Sequence, residues 1–507
     1  MELSHFFATP SAAFTTRREF LRRAGNGCGL LALAGLLGDA RLLATDAISA
    51  NTAVDSALRI PQSALNPLNP LAAHPGHFAS KAKSVIWIFL NGGPSQIDTW
   101  DYKPELEKRD GKPLDGFDNE TGFFPKEVGP LMRSPFAFKQ YGESGAWCSD
   151  IFPEQAKHVD RMAFIHSCFT QTNNHSPALF QINTGQNRMG YPCMGAWVTY
   201  GLGTENQNLP AFVVMYDTLG RGLPKGSASN WGAGFLPGVF QGTALNPNGP
   251  PINNLDRPAD MTADQQRRQL DLIRELNRQR LKELNPPEAD LAARIESFEL
   301  AYRMQMAAPE VFDVSREPDE VQKMYGLDDK QCAHVGKQLL LARRLVENGV
   351  RFVQIYSGGM ENQRSWDGHI DLAGNHRQFA GETDKPISAL LTDLYQRGLL
   401  DSTLVVCNGE FGRLPVSQIG TKKPGRDHNP FAFTTWFCGG GVKGGVHYGQ
   451  TDEIGHKAVV DKVSVNDLHA TVLHLLGLDH ERLTYRHNGR DFRLTDVAGR
   501  VVKEILA

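Results

Sequence analysis

Short runs of consecutive apolar residues recur along the chain: Ser84–Leu90 (SVIWIFL), Met162–His166 (MAFIH), Ala211–Tyr216 (AFVVMY), Phe352–Tyr356 (FVQIY), Thr403–Asn408 (TLVVCN) and Phe433–Cys438 (FTTWFC). Their apolar character is continuous rather than alternating, as in strands of a parallel sheet covered on both faces. Helical patterns lie between them. Gln331–Glu347 closes at Asn348-Gly349, a C-cap pair, and leads into the run at 352. Ile387–Gln396 closes at Gly398 and leads in the same way into the run at 403. Two helix-to-strand units in succession predict an α/β fold, with a doubly wound, mostly parallel sheet and helices on both faces. Met261–Ala308 departs from this alternation. It is helical in composition throughout, broken once at Asn285-Pro286-Pro287, and is predicted as a helical insertion, 261–308. It reads as a surface hairpin or as a cover over a site. The Gly/Pro/Asn-rich stretch Leu219–Asn254 is predicted as a long loop.

The N-terminus has a different logic. Thr16-Arg17-Arg18-Glu19-Phe20-Leu21-Arg22 is a twin-arginine motif followed by the apolar stretch Gly29–Leu37, with small residues near Ala40, Ala47 and Ala50 offering cleavage points. Residues 1–50 are therefore expected to be a twin-arginine signal peptide, and the protein to reach the periplasm or the exterior. The apolar stretch is too short for a bilayer span of ~20 residues. Residues 51–80, rich in Ala, Asn and Pro, read as a linker, leaving 81–507 as one domain.

Charge changes the picture by exclusion. With 53 Lys+Arg against 56 Asp+Glu, a net −3, the chain lacks the basic excess of a nucleic-acid binder. Beyond Cys28, the cysteines are Cys148, Cys168, Cys193, Cys332, Cys407 and Cys438, with no C-x-x-C pair. Cys407 and Cys438 end apolar runs and read as buried thiols. Cys148, Cys168 and Cys193 are close enough in sequence for one bridge.

In α/β sheets ligands bind beyond the carboxyl ends of the strands. The residues just after each predicted strand are therefore the candidates for chemistry. Asn91-Gly92-Gly93 leads to Asp98 and Asp101; Ser357-Gly358-Gly359 leads to Asp367, His369 and, later, His376. Gly409-Glu410-Phe411-Gly412-Arg413 follows the run at 403, and Arg426-Asp427-His428 precedes the run at 433. Asp, Glu and His together suit a divalent metal. The imidazoles favour Zn or Mn, with Ca or Mg also compatible with the carboxylates. Arg413 and Arg426 have the planar fork that clamps a tetrahedral oxyanion. Each also has a plainer reading: Asp98 as a helix cap, the histidines as loop residues, Glu410 with Arg413 as an ion pair.

The runs FLNGGPSQIDTWDYKP, WDGH, NGEFGRLP, GRDHNPFAF and GGGVKGGVHYGQTDE, in this order over roughly residues 80–505, resemble the DUF1501 proteins. That family is placed with sulfatases in the alkaline-phosphatase-like superfamily. Val465–Gly477 resembles the D-I-A-P-T-L-L-x-L-L-G helix of sulfatases and phosphoglycerate mutases, with Ala470 in place of the proline. His175-Ser176-Pro177-Ala178-Leu179-Phe180-Gln181-Ile182-Asn183-Thr184-Gly185 resembles the sulfatase run C-S-P-S-R-A-A-L-L-T-G. The cysteine that becomes formylglycine is replaced by His175 and the arginine by Leu179, which excludes a formylglycine sulfatase.

The resemblance implies an alkaline-phosphatase-like core with a metal site. Asp367, His369, Glu410 and His428 would hold the ion and Asp98 would complete or support it. His175 or Ser176 would stand at the nucleophile's place, and Arg413 or Arg426 would face the oxyanion. His175 is alternatively a ligand. Asn91 and Phe411 stand where the superfamily carries a carboxylate and an imidazole. The expected activity is metal-dependent hydrolysis or transfer at a phosphate or sulfate ester of a small molecule or glycan. The alternative is a catalytically silent binding protein for an anionic glycan or a protein partner.

Overall fold

The computed structural model describes residues 69–507 apart from 247–250, 253–254, 284–288 and 421. The expected signal peptide, the linker up to residue 68 and the break at Asn285-Pro286-Pro287 lie outside the described residues.

Nine strands form the main sheet: β1 (Ser84–Leu90), β2 (Met162–Phe169), β3 (Phe212–Met215), β4 (Thr243–Ala244), β5 (Phe352–Ser357), β6 (Thr403–Asn408), β7 (Phe433–Cys438), β8 (Val446–Tyr448) and β9 (Val463–Ser464). Their order is β8-β2-β7-β6-β1-β5-β3-β4, with β9 also paired to β2. β1 lies parallel between β5 and β6, and β3 parallel between β5 and β4. β8 and β9 run parallel to β2. Only β7, between β2 and β6, is reversed. The sheet is thus mixed and mostly parallel, and the fold is α/β.

Alternate residues of one strand feed two cores. Ile86, Ile88 and Leu90 of β1 point to one side and Val85, Trp87 and Phe89 to the other, and all seven residues of β1 are buried. This two-sided burial is why the strands carry unbroken apolar runs. The longer helices, numbered in chain order, are α1 (His175–Thr184), α2 (Met194–Leu202), α3 (Ala263–Glu283), α4 (Ala289–Phe312), α5 (Ala333–Glu347), α6 (Leu372–Gln396) and α7 (Val465–Leu475). Apolar residues of α4, α5 and α6 pack on the Ile86 face, and those of α1, α2 and α7 on the Trp87 face.

Two elements differ from expectation. β2 continues to Phe169, past the run ending at His166. α6 begins at Leu372 rather than Ile387, because Pro386 lies inside the helix where its sequence pattern suggests a start. An interior proline costs ~3 kcal/mol. Burial of Phe379, Ala380, Ile387, Leu390 and Leu394 along one face offsets it. Asp371 caps the true start by accepting from the Gly374 N–H. The 261–308 insertion is the pair α3 and α4, joined in part by the Arg267–Glu299 ion pair. Cys148, Cys168, Cys193, Cys332, Cys407 and Cys438 are all buried free thiols, so no bridge joins the first three. No described helix is long and apolar enough to cross a membrane.

Candidate metal centre

The carboxyl ends of β1, β5, β6 and β2 meet at one edge of the sheet, and the reversed β7 starts there. After β1 the chain turns through Gly92 at φ +106. A Cβ there would lie 2.5 Å from Ser365 Oγ and 2.6 Å from the Asp367 backbone N, so only glycine lets the two loops abut. The Gly92 N–H donates to both carboxylate oxygens of Glu410, at 3.0 and 3.1 Å. Asp367 and His369 follow β5. His175 opens α1 after β2, with Asn174 as its cap, accepting from the Ser176 N–H at 3.2 Å. His428 is set opposite Arg413 by a short antiparallel ladder, Gly412 to Asn429 and Arg413 to His428.

These elements bring His175, Asp367, His369 and His428 together, with one donor atom from each within 4.8 Å of the others. All four are buried, from 1% exposed at Asp367 to 7% at His369. His369 Nε2 lies 2.9 Å from His428 Nε2 and 2.9 Å from Asp367 Oδ1, and His175 Nε2 lies 3.3 Å from Asp367 Oδ2.

The outer nitrogen of each ring fixes the role of the inner one. His175 Nδ1 is 2.7 Å from Glu410 Oε1, a carboxylate, and His428 Nδ1 is 2.6 Å from the Asn173 carbonyl. Both partners only accept, so both Nδ1 atoms donate. His369 Nδ1 is 2.7 Å from Gln418 Oε1, and Gln418 Nε2 donates to Glu127 at 2.6 Å, so the oxygen faces His369 and Nδ1 donates again. Three Nε2 atoms therefore converge with a carboxylate while their Nδ1 protons are held from behind, the arrangement of metal-ligating histidines. His175 Nε2 is buried without a hydrogen-bond partner. The donor set of three imidazoles and one carboxylate fits Zn or Mn.

Electrostatics in the metal-free protein follow from the same contacts. Burial disfavours a charged His175, yet Asp367 and Glu410 outweigh it and raise its pKa to about 9. Burial, and then the His175 cation, push His428 well below its ordinary value, so it is neutral. Asp367 is buried, but the Arg413 guanidinium and His175 hold its carboxyl well below the usual range. A divalent cation would take the place of the His175 Nε2 proton, as metal binding to imidazole requires.

The other expected site residues are placed elsewhere. Glu410 stands behind His175 instead of in the cluster. Asp98 is not with the metal-type donors, because Arg426 holds it through Nε at 2.7 Å and Nη2 at 3.2 Å, and Ser95 Oγ donates to it as well. Arg426 also donates to the carbonyls of Leu414 and Met132. Arg413 donates to Asp367 at 2.7 Å and to the carbonyls of Gly92, Gly93 and Arg426. Both guanidinium groups are fully buried and turned to protein acceptors, which differs from the expected oxyanion clamp. His376 accepts from the Ser95 N–H, and burial lowers it to about 3. Asp101 pairs with Lys103 and accepts from Thr451.

The residues that sequence reasoning did not single out are Gln418, Asn173 and the pair Phe123-Phe124. Phe124 packs edge-on against His369 at 5.1 Å, and Phe123 lies 5.7 Å from His428. The Phe124 N–H donates to Asp427, and Asn173 Nδ2 donates to the carbonyls of Thr121 and Gly122. With Phe411 against His175 and His428, at 4.9 and 4.5 Å, these rings cover the cluster.

Over residues 82–506 the sequence matches the family described as "Protein of unknown function (DUF1501)". No curated protein matches the chain. Among solved structures, it is similar to the lipoteichoic acid synthase LtaP from Listeria monocytogenes, at 12% identity and TM-score 0.32, over 85% of this chain and 79% of that one. It is similar to the PsFucS1 sulfatase from Pseudoalteromonas sp. at 11% identity and TM-score 0.34, over 81% and 74%. The alkaline phosphatase from the Antarctic bacterium TAB5 matches at 10% identity and TM-score 0.30, over 78% and 99%.

Proposed function

The chain belongs to the DUF1501 family, and on that premise we propose that it is an exported metal-dependent hydrolase or transferase acting on phosphate or sulfate esters. The observation that carries this reading is the convergence of three imidazole Nε2 atoms and one carboxylate, each imidazole held by an acceptor behind it. His175, Asp367, His369 and His428 hold the ion. A bound Zn or Mn supplies Lewis acidity to an ester oxygen and lowers the pKa of a bound water to ~7. Glu410 fixes the His175 ring, Gln418 that of His369, and the Asn173 carbonyl that of His428. Arg413 keeps Asp367 ionised at any physiological pH.

His175 cannot serve as the attacking group while its Nε2 binds the ion. Ser176, at the second position of α1, is then the remaining side chain of the pair for attack, near the positive end of the helix dipole. The twin-arginine motif in residues 1–50 supports export in the folded, loaded state.

The test is elemental analysis of the purified protein beside an Asp367→Ala/His428→Ala double variant. About one equivalent of Zn or Mn in the native chain and none in the variant is the expected result, followed by turnover of aryl phosphate or aryl sulfate that Ser176→Ala abolishes with the metal retained. Absence of metal from both proteins after reconstitution would defeat the hydrolase reading. Metal without turnover of any ester would leave the silent binding protein as the better account.

A further inference from the structure

Left-handed backbone at non-glycine residues is concentrated beside the metal-type cluster. Asn362 (φ +59), Gln363 (φ +54) and Asp371 (φ +51) all lie in the segment after β5 that carries Asp367 and His369. The others among the described residues, Ser227, Asp461, Asn488 and Asp496, stand singly elsewhere. Asn and Asp are the side chains that most often enter this region, and Gln does not share that preference. The successive pair Asn362-Gln363 is held in place by its neighbours. Gln363 Nε2 donates to the Ile370 carbonyl, and Gln363 Oε1 accepts from Asn375 Nδ2 at 3.0 Å. The Arg364 N–H returns to the Asn362 carbonyl at 2.6 Å. A turn of this kind persists only where its surroundings over-determine it, and such turns gather at functional sites.

The turn delivers two successive N–H groups to Asp367. That of Asn362 donates to Oδ2 at 2.7 Å, and that of Gln363 to the Asp367 backbone carbonyl at 3.3 Å. Arg413 Nη2 holds the other carboxylate oxygen, Oδ1, at 2.7 Å. Each oxygen thus has one donor from outside the cluster. Within it, Oδ1 lies 2.9 Å from His369 Nε2 and Oδ2 lies 3.3 Å from His175 Nε2. The last torsion of an Asp side chain is broad, so its rotamer does not set the plane of the carboxylate. Held by Arg413 alone, the group would be free to pivot about Oδ1. The Asn362 N–H is the second fixed point.

We propose that Asn362 is a positioning residue of the metal centre: its left-handed turn aims a backbone N–H at Oδ2 and so fixes the Asp367 carboxylate for the ion. The proposal rests on the metal-centre reading above and deepens it. The Asn362 side chain is exposed, so its identity acts through φ.

The test is Zn affinity of the full-length protein, by competition with a chromophoric chelator, in Asn362→Val and Asn362→Gly. Valine is branched at Cβ and opposes a positive φ, whereas glycine adopts it freely and keeps the N–H. Asn362→Val is expected to bind Zn about tenfold more weakly, the lower end of the range for groups that orient a ligand. Asn362→Gly is expected to stay within about twofold of the native protein. The urea midpoint of each metal-free protein separates aim from general damage. An Asn362→Val protein that unfolds more easily yet holds Zn as tightly would make the turn a mere connection and overturn the proposal. Equal weakening in both variants would assign the effect to the Asn362 side chain and overturn it as well. Either result leaves the metal-centre reading standing. Failure of the native protein to bind Zn would overturn both.

Discussion

Two buried polar groups of residues sit at the same edge of the sheet and differ in how they are closed. In one, Asp98 and Arg426 bind each other, and every remaining contact of the guanidinium goes to a backbone carbonyl. In the other, His175, His369 and His428 satisfy their outer nitrogens and leave three inner ones gathered around Asp367. The first is a finished electrostatic structure that ties the loop after β1 to the loop before β7. The second is finished only from the outside. Acids, cations and imidazoles at strand ends are common to both. What separates a brace from a binding site is whether donors and acceptors balance within the protein.

The strongest test of the closed group removes one partner. Arg426→Met would strand a fully buried carboxylate, and a loss of about 3–5 kcal/mol is expected in urea unfolding of the metal-free protein. His369→Ala in the same assay should cost less, about 1–3 kcal/mol, since it strands the neutral Gln418 amide while the Asp367 carboxylate keeps Arg413. Equal losses would erase the distinction between the two groups.

A second acid sharpens the same point. Asp384 is buried and accepts from the backbone N–H groups of Glu154 and Gln155, and among the described residues no cation pairs with its carboxylate. Burial raises its pKa from 3.8 to about 6. A raised carboxyl pKa favours the folded state when protonated, so its contribution is present below pH ~4 and fades as the pH rises through 6. At 1.36 kcal/mol per pH unit the ceiling is about 3 kcal/mol. Asp384→Asn removes that dependence. Measured by denaturant midpoints, the variant should gain on the native protein between pH 4.5 and 7.5, and a constant difference across that range would contradict the assignment.

The contrast between the two groups was only half visible in the sequence. Continuous apolar runs with helices between them identify β1, β6 and β7 to the residue, because two-sided burial favours apolar side chains at successive positions. The rule that ligands gather beyond strand ends, with the family resemblance, placed Asp367, His369 and His428 at one edge. Sequence does not say which acid meets which cation. Asp98 and Arg426 are 328 residues apart, and their pairing depends on how two loops lie in space. Glu410 misled for a related reason: it follows a strand as a ligand would, yet its carboxylate points at Gly92 and His175. Gln418, Asn173 and Phe124 carry no pattern at all, since a backbone carbonyl, an amide and a ring acquire their roles only from what they touch.

On the open side, metal should supply the balance that the protein lacks. With free Zn or Mn at about 100 times its dissociation constant, the native state gains about 2.7 kcal/mol. A chelator should remove that gain, and the Asp367→Ala/His428→Ala variant should never show it. Melting with and without metal reads both. Stabilisation that survives in the variant would mean binding somewhere other than the cluster.

The smallest effect is the most specific. Gln418 touches no donor atom of the cluster; its Oε1 receives the His369 Nδ1 proton and its Nε2 is tied to Glu127. Gln418→Met keeps the volume and removes the acceptor, freeing the ring to turn or to exchange its protonated nitrogen. Outer partners of this kind are worth 10–100-fold in metal affinity. A loss near the lower end, about tenfold or 1.4 kcal/mol, is expected, because the other two imidazoles keep their acceptors. Competition with a chromophoric chelator measures it directly, and the urea midpoint of the metal-free variant controls for general damage. A variant that unfolds more easily but binds metal as tightly as the native chain would make Gln418 a packing residue. It would also leave the orientation of His369 to its contacts with Phe124, Asp367 and His428.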